Sequence, residues 1–219
     1  MVRFPAVALL AAVLSTPPTR AAPAEIPLPA PRKAGAVSVE SALAGRRSLR
    51  AYAKQALTLE EVGQLLWAAQ GVTGPEGRRT APSAKRRYPL EIAVVAQNVA
   101  GLPSGAYRYL PAKHALELLA PAKDGAPLLA PATPQPQVAA APAVFVVAAV
   151  YERMEPGPRA HTFADFEAGL ASENLLLEAV GLGLGGVITG GIDPAGARAA
   201  VKLGAGEEVI VLIPVGRPG

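Results

Sequence analysis

AVFVVAAVY, from Ala143 to Tyr151, is the stretch on which the fold turns. It is continuously apolar and rich in β-branched residues, the pattern of a central strand buried on both faces. Downstream, Phe163 to Gly181 reads as a long helix with Phe166, Leu170, Leu177 and Val180 near helical spacing. That helix is apolar around much of its circumference, which places it in the core or at a subunit interface. Asp193 and Pro194 supply a cap and a first-turn proline for a short helix, and EVIVLIPV, Glu208 to Val215, is the last strand. Upstream, EIAVVAQNV from Glu91 is a further extended run, followed by turn residues at Pro103 to Gly105 and two shorter strands, Ala106 to Tyr109 and Ala115 to Leu119, that form a hairpin. Ser38 caps a helix that stops at Gly45, and Thr58 with Glu61 makes a capping box ahead of Leu59, Val62, Leu65, Leu66 and Ala69, a helix that Gly71 ends. Helices, a hairpin and strands in this order are neither a regular βαβ series nor a sandwich. They predict an α+β domain with helices packed on a central mixed sheet.

The 219 residues, 51% of them apolar, suit one domain with a substantial core. Arg3, the apolar run Ala6 to Leu14 and the small-residue pattern Ala22, Pro23, Ala24 read as an export signal over residues 1–24. The run is about half of the roughly 20 residues that a spanning helix needs, so no stable membrane anchor is expected. Residues 25–36 are rich in proline and alanine and read as a linker, with the folded domain at 37–219. The protein is expected to be periplasmic or secreted. With no cysteine in the chain, disulfides, a lipidated thiol and thiol catalysis are all excluded. Loss of Arg3 and Arg20 with the signal would lower the formal charge from +4 to +2, which is not a nucleic-acid balance. The basic residues instead gather in two clusters, Arg46, Arg47 and Arg50, then Arg78, Arg79, Lys85, Arg86 and Arg87, which suggests local anion sites.

In RRSLR, guanidinium groups at Arg46, Arg47 and Arg50 beside the Ser48 hydroxyl are the parts of a phosphate clamp, and equally the parts of a solvated surface. Arg217 leaves a strongly apolar strand, a position suited to an anchored surface ligand or to a solubilising terminus. The glycines Gly181, Gly183, Gly185 and Gly186 close a helix and lead into a strand, the reverse of a dinucleotide-binding turn, and read as helix termination. His114 and His161 have no carboxylates at ligand spacing, so no metal site is expected, and no serine sits at a hydrolase elbow. His161 and Tyr109 are candidate proton donors. Trp67 reads as core.

Taken in order, RRSLRAY, LTLEEVGQLLWAAQGV, RRTAPSAKRRYPLEIAVV, GLPSGAYRYLP, ASENLLLEAVGLGLGGV, GGID and VLIPVGRP resemble the nitroreductase superfamily from Val39 to Pro218. The likeness is nearest to the SagB-type dehydrogenase branch, through the leucine-tryptophan helix, the PSA segment before Tyr88-Pro89 and the tyrosine hairpin. The resemblance implies FMN bound at a homodimer interface, its phosphate held by Arg46, Arg47, Ser48 and Arg50 together with Arg217. Pro82, Ser83 and Ala84 would run along the isoalloxazine ring, where small residues permit close backbone approach. Lys85 departs from the glycine typical of that branch: it either points away or places a cation beside the flavin. Gly190 and Gly191 would face the reactive edge of the ring, where a backbone amide can bond N5; without the resemblance they read equally as an ordinary turn. Asn174 matches a recurrent family asparagine and reads as structural. The implied activity is transfer of hydride or electrons through the flavin, from a reduced nicotinamide or organic donor to a small organic acceptor. Two alternatives stand beside it: an exported, non-catalytic flavin-binding member whose Lys85 blocks the substrate face, and an azoline-ring oxidase acting on modified peptides.

Overall fold

The computed structural model describes Met1, residues 25–122 and residues 127–219; the remainder of the expected export signal lies outside the described residues. Seven strands form one sheet, and their chain-order labels are β1 Glu25–Pro27, β3 Leu90–Ala96, β5 Gly105–Leu110, β6 Ala115–Pro121, β7 Ala143–Ala149, β8 Gly185–Gly186 and β9 Glu208–Gly216. Their order across the sheet is β1-β6-β5-β3-β7-β9-β8, and a separate two-stranded ribbon joins β2 Leu57–Thr58 to β4 Val99–Ala100. The helices are α1 Val39–Gly45, α2 Leu59–Gln70, α3 Pro136–Ala140, α4 Ala160–Gly181 and α5 Pro194–Val201. Among the described residues no helix is long and apolar enough to cross a membrane.

β7 lies between β3 and β9 with every residue buried. Its side chains alternate between two cores: Phe145 and Val147 face α2 and α4, while Val144, Val146 and Ala148 face α5 and the segment around α3. A continuous apolar run therefore does mark the strand covered on both faces. It does not encode direction, and here the expectation of a mixed sheet is corrected. All neighbours in the seven-stranded sheet are antiparallel. Parallel pairing among the described residues is confined to β2 with β4 and to an isolated bridge between Ser48 and Gly186.

The linker expected at 25–36 is also corrected. Glu25–Pro27 adds an edge strand to β6, Leu28 is buried in the core, and the Arg32 amide donates to Gln64 Oε1 at 2.8 Å. His114 holds this segment in place. Its Nε2 lies 2.9 Å from the Pro29 carbonyl, which only accepts, so the Tyr109 hydroxyl at 2.9 Å donates to the opposite nitrogen, Nδ1. A proline-rich composition lowers the chance of a self-sufficient fold, but a preformed sheet edge and one buried leucine suffice to order a short segment.

The local signals that end and start helices are found as expected. Thr58 and Glu61 form both bonds of the capping box, and Ser38 and Asp193 accept from first-turn amides. α4 ends in a Schellman motif: Gly183 adopts φ +69°, its amide donates to Val180, and the Leu184 amide donates to Ala179 at 2.7 Å. Gly185 and Gly186 have a separate reason for lacking side chains. A Cβ on Gly186 would lie 2.7 Å from the Pro214 carbonyl oxygen, and one on Gly185 would meet Leu49 at 3.0 Å.

Candidate functional site: a basic cradle between the chain ends

The Ser48–Ala53 segment lies directly against the C-terminal strand. Leu49 donates to the Gly186 carbonyl at 3.0 Å, Tyr52 pairs with Pro218, and Ala53 donates to the Arg217 carbonyl at 3.0 Å. The Tyr52 hydroxyl donates to both Leu49 and Pro214 carbonyls, and burial raises its pKa. Residues far apart in the chain, the RRSLR segment and the exit of β9, are thus brought into one layer of backbone.

The side chains are deployed less uniformly. Arg46 pairs with Glu173 of α4 at 3.3 Å. Arg47 turns back on the end of its own helix, donating to the carbonyls of Ala44 and Arg46 at 2.9 and 2.7 Å, where a cation also suits the helix dipole. Arg50 is exposed and makes no ion pair among the described residues. Arg217 donates to Glu61 at 2.6 Å, while its Nε is buried without a partner.

Pro82, Ser83 and Ala84 form a short segment under α4. Ser83 Oγ accepts the Tyr88 amide at 2.7 Å, and the Ala84 amide donates to Glu167 Oε1 at 2.8 Å. Glu167 is only 4% exposed, and burial raises its pKa against the opposing bonds from Ala84 and Ser83. Lys85 follows with φ +51°, and Arg86 and Tyr88 are also left-handed at +57° and +46°. Such conformations cost non-glycine residues of order 1 kcal/mol or more each and persist only where surroundings enforce them. Lys85 answers the question of direction: its ammonium pairs with Glu155, beside the Arg87 guanidinium at 2.6 Å from the same carboxylate.

Gly190 and Gly191 follow Thr189, which is paired with Leu212 of β9. The Gly191 carbonyl accepts from Gln135 at 2.9 Å and Thr133 at 3.2 Å. Neither glycine amide has an acceptor among the described residues.

These observations permit a test of whether FMN fits. Four buried side-chain polar atoms lack partners among the described residues: Trp67 Nε1, Glu167 Oε2, Thr189 Oγ1 and Arg217 Nε. Three of them adjoin or belong to the segments that the resemblance assigns to the cofactor, where native structures ordinarily leave few such groups unpaired. With the unpaired Arg50 and the free glycine amides, the residues present fit a phosphorylated ring cofactor.

Sequence reasoning missed Glu167. Its signal was its place on the buried face of α4 with Ala164, Ala168, Ala171 and Leu175, whereas Phe166 and Leu170, used to define that helix, are 56% and 46% exposed. Tyr109 is corrected as a proton donor, being buried, bonded to His114 and raised in pKa by desolvation. His161 stacks on Tyr151 with ring centroids 4.0 Å apart. Trp67 is only partly buried, with its indole nitrogen inside.

Fold and site together define an α+β domain in which a basic segment and an apolar strand's exit lie side by side. Residues 43–217 match the model described as "Nitroreductase family". A curated protein of Methanocaldococcus jannaschii, assigned by name to the nitroreductases, is 38% identical over 83% of this chain and 91% of its own length. A crystal structure from Ralstonia eutropha, likewise described as a nitroreductase, has a TM-score of 0.76 at 31% identity, covering 90% of this chain and 94% of its own. Another, from Desulfovibrio desulfuricans and in complex with FMN, has a TM-score of 0.60 at 23% identity, covering 83% of this chain and 86% of its own. The chain belongs to the nitroreductase family, and it is an oxidoreductase of that family.

Proposed function

We propose that this chain is an exported, FMN-dependent oxidoreductase of the SagB-type branch that works as a homodimer. It would pass hydride or electrons between a reduced nicotinamide or organic donor and a small organic acceptor. Bound FMN would supply the two-electron chemistry, and the protein supplies position and electrostatics. The observation that supports this reading is the pairing of Ser48–Ala53 with Gly186 and with Pro214–Pro218, which brings the backbone that carries Arg50 beside the backbone that carries Arg217. There Arg50 and Arg217 would grip the phosphate, with Ser48 donating and Arg46 and Arg47 adding positive field. Ala84 keeps the ring edge free of bulk, and the Gly190 and Gly191 amides are available to bond the reactive edge.

Support for the dimer comes from exposed apolar side chains on adjoining helices, Val39 and Leu43 on α1 and Phe163, Phe166 and Leu170 on α4. One of the two motives for the non-catalytic alternative, Lys85, falls away because its ammonium is engaged by Glu155; the other is the export signal. The branch assignment rests on the leucine-tryptophan helix, the PSA segment before Tyr88-Pro89 and the tyrosine hairpin.

An absorption spectrum of the purified chain tests the cofactor directly. Yellow protein that bleaches with reductant and recovers with an acceptor is expected, along with parallel reciprocal plots in steady-state kinetics. Arg50→Ala combined with Arg217→Ala should weaken FMN retention at least about tenfold, from the loss of two charge-assisted contacts. Unchanged retention in a folded dimer would overturn the reading. Export is tested by N-terminal sequencing of the protein recovered outside the cytoplasm.

A further inference from the structure

A cavity of about 330 Å³ opens beside Ala84, between the PSA segment and the start of α4. Its walls are apolar, with Met154, Pro156, Pro158 and Phe163 among them. Its polar lining is lopsided: Lys85, Arg87 and Arg159 stand against the one carboxylate of Glu155. Glu155 already serves both Lys85 and Arg87, which hold its pKa below the ordinary carboxylate range. Arg159 has no acidic partner among the described residues and lies over the Phe163 ring at 4.8 Å. α4 begins at this rim without a side-chain cap or an acidic residue in its first turn, so its dipole adds to the positive field. Lys85 reaches the rim from a left-handed backbone at φ +51°, where glycine would be unstrained.

From this we infer that the cavity receives a small aromatic acid bearing a reducible nitro group as electron acceptor, its ring against Phe163 and its carboxylate or sulfonate on Arg159 and Arg87; two electrons from reduced flavin and two protons would convert nitro to nitroso with loss of water. This rests on the flavin reading above for the word acceptor, but not for binding. An apolar slot alone would favour neutral aromatics. A surplus of two positive charges at its mouth makes the anion the complementary ligand. A reduced nicotinamide dinucleotide shares that chemistry, and the experiment separates the two.

The probes are 4-nitrobenzoate and neutral 4-nitrobenzamide, applied to the FMN-loaded full chain, with binding read by calorimetry and turnover by stopped flow. Re-oxidation of chemically reduced protein isolates the acceptor step, and reduction by NADH isolates the donor step. The inference expects 4-nitrobenzoate to bind more tightly than the amide. Arg159→Ala with Arg87→Ala should lower the benzoate-to-amide ratio in both binding and re-oxidation by about tenfold, the scale of losing two partly exposed charge contacts. Arg159→Lys should retain most of it, and Glu155→Gln should raise it. A ratio untouched by these changes overturns the inference, as does a change confined to the NADH step. Protein that refuses FMN yet binds 4-nitrobenzoate through Arg159 would sink the cofactor reading and leave the anion site standing. FMN-loaded protein with no preference would do the reverse.

Discussion

Arg217 and Glu61, 156 positions apart, meet with Nη2 2.6 Å from Oε1, and the second oxygen of the same carboxylate accepts the Thr58 amide at 2.8 Å. One glutamate therefore closes the first turn of α2 and engages the arginine proposed to hold phosphate. Glu61→Gln keeps an acceptor for Thr58 while removing the charge that competes for Arg217. FMN affinity of the apoprotein, read by flavin fluorescence titration, should tighten about two- to fivefold, the range of a partly exposed ion pair. Weaker binding would show instead that Glu61 holds Arg217 in its working position.

The clasp of the N-terminal segment depends on a neutral His114. Burial lowers its pKa from the ordinary 6.5, so the unfolded chain binds the proton more readily. The stability this group contributes is complete above 6.5 and is lost as pH falls through that value and then through the lower folded one. Exchange of the Leu28 amide, which donates to the His114 carbonyl at 3.0 Å, should accelerate over that window beyond the change in intrinsic rate. Tyr109→Phe, which strands Nδ1, should cost about 1 kcal/mol in denaturant unfolding at neutral pH.

Glu167 has the opposite sign. Its folded pKa is raised above the ordinary 4.5, so protonation favours the folded state, and stability rises as pH falls through the folded value towards 4.5. Glu167→Gln should abolish that slope while keeping an oxygen for the Ala84 amide. Glu167→Ala removes the bond and leaves space, and should destabilise by about 2 kcal/mol. Equal unfolding curves for wild type and Glu167→Ala would show that the carboxylate does not hold the PSA segment.

Gly186→Ala places a methyl group 2.7 Å from the Pro214 carbonyl and against Val215 and Leu176. Neither the backbone of β9 nor the core beneath it can yield cheaply, and a loss of about 2 kcal/mol or more is expected. Because Ser48 and Leu49 pair with this glycine, FMN retention should fall as well. Gly190→Ala, where a Cβ meets nothing within 4 Å, is the control for stability.

Much of this was legible in the chain. Thr58 with Glu61, Ser38, Asp193 with Pro194 and the unbroken apolar run at β7 are local signals, and each is found as an element or a cap. Strand direction was not, since burial on both faces looks the same in parallel and antiparallel sheets. The order at Glu25–Leu28 was not either, because it comes from a distant edge and a distant histidine. At the site, residue types were legible while partners were not: nothing near Arg217 or Lys85 in sequence announces Glu61 or Glu155.

The two borders of the sheet are unequal to its centre. β1 offers three residues and β8 two, where β7 and β9 offer seven and nine. Stubs of that length give a foreign strand almost no ladder to copy, which guards against runaway fibre growth. Exposed apolar side chains are found instead on the helices, Val39 and Leu43 of α1 and Phe163, Phe166 and Leu170 of α4 among them.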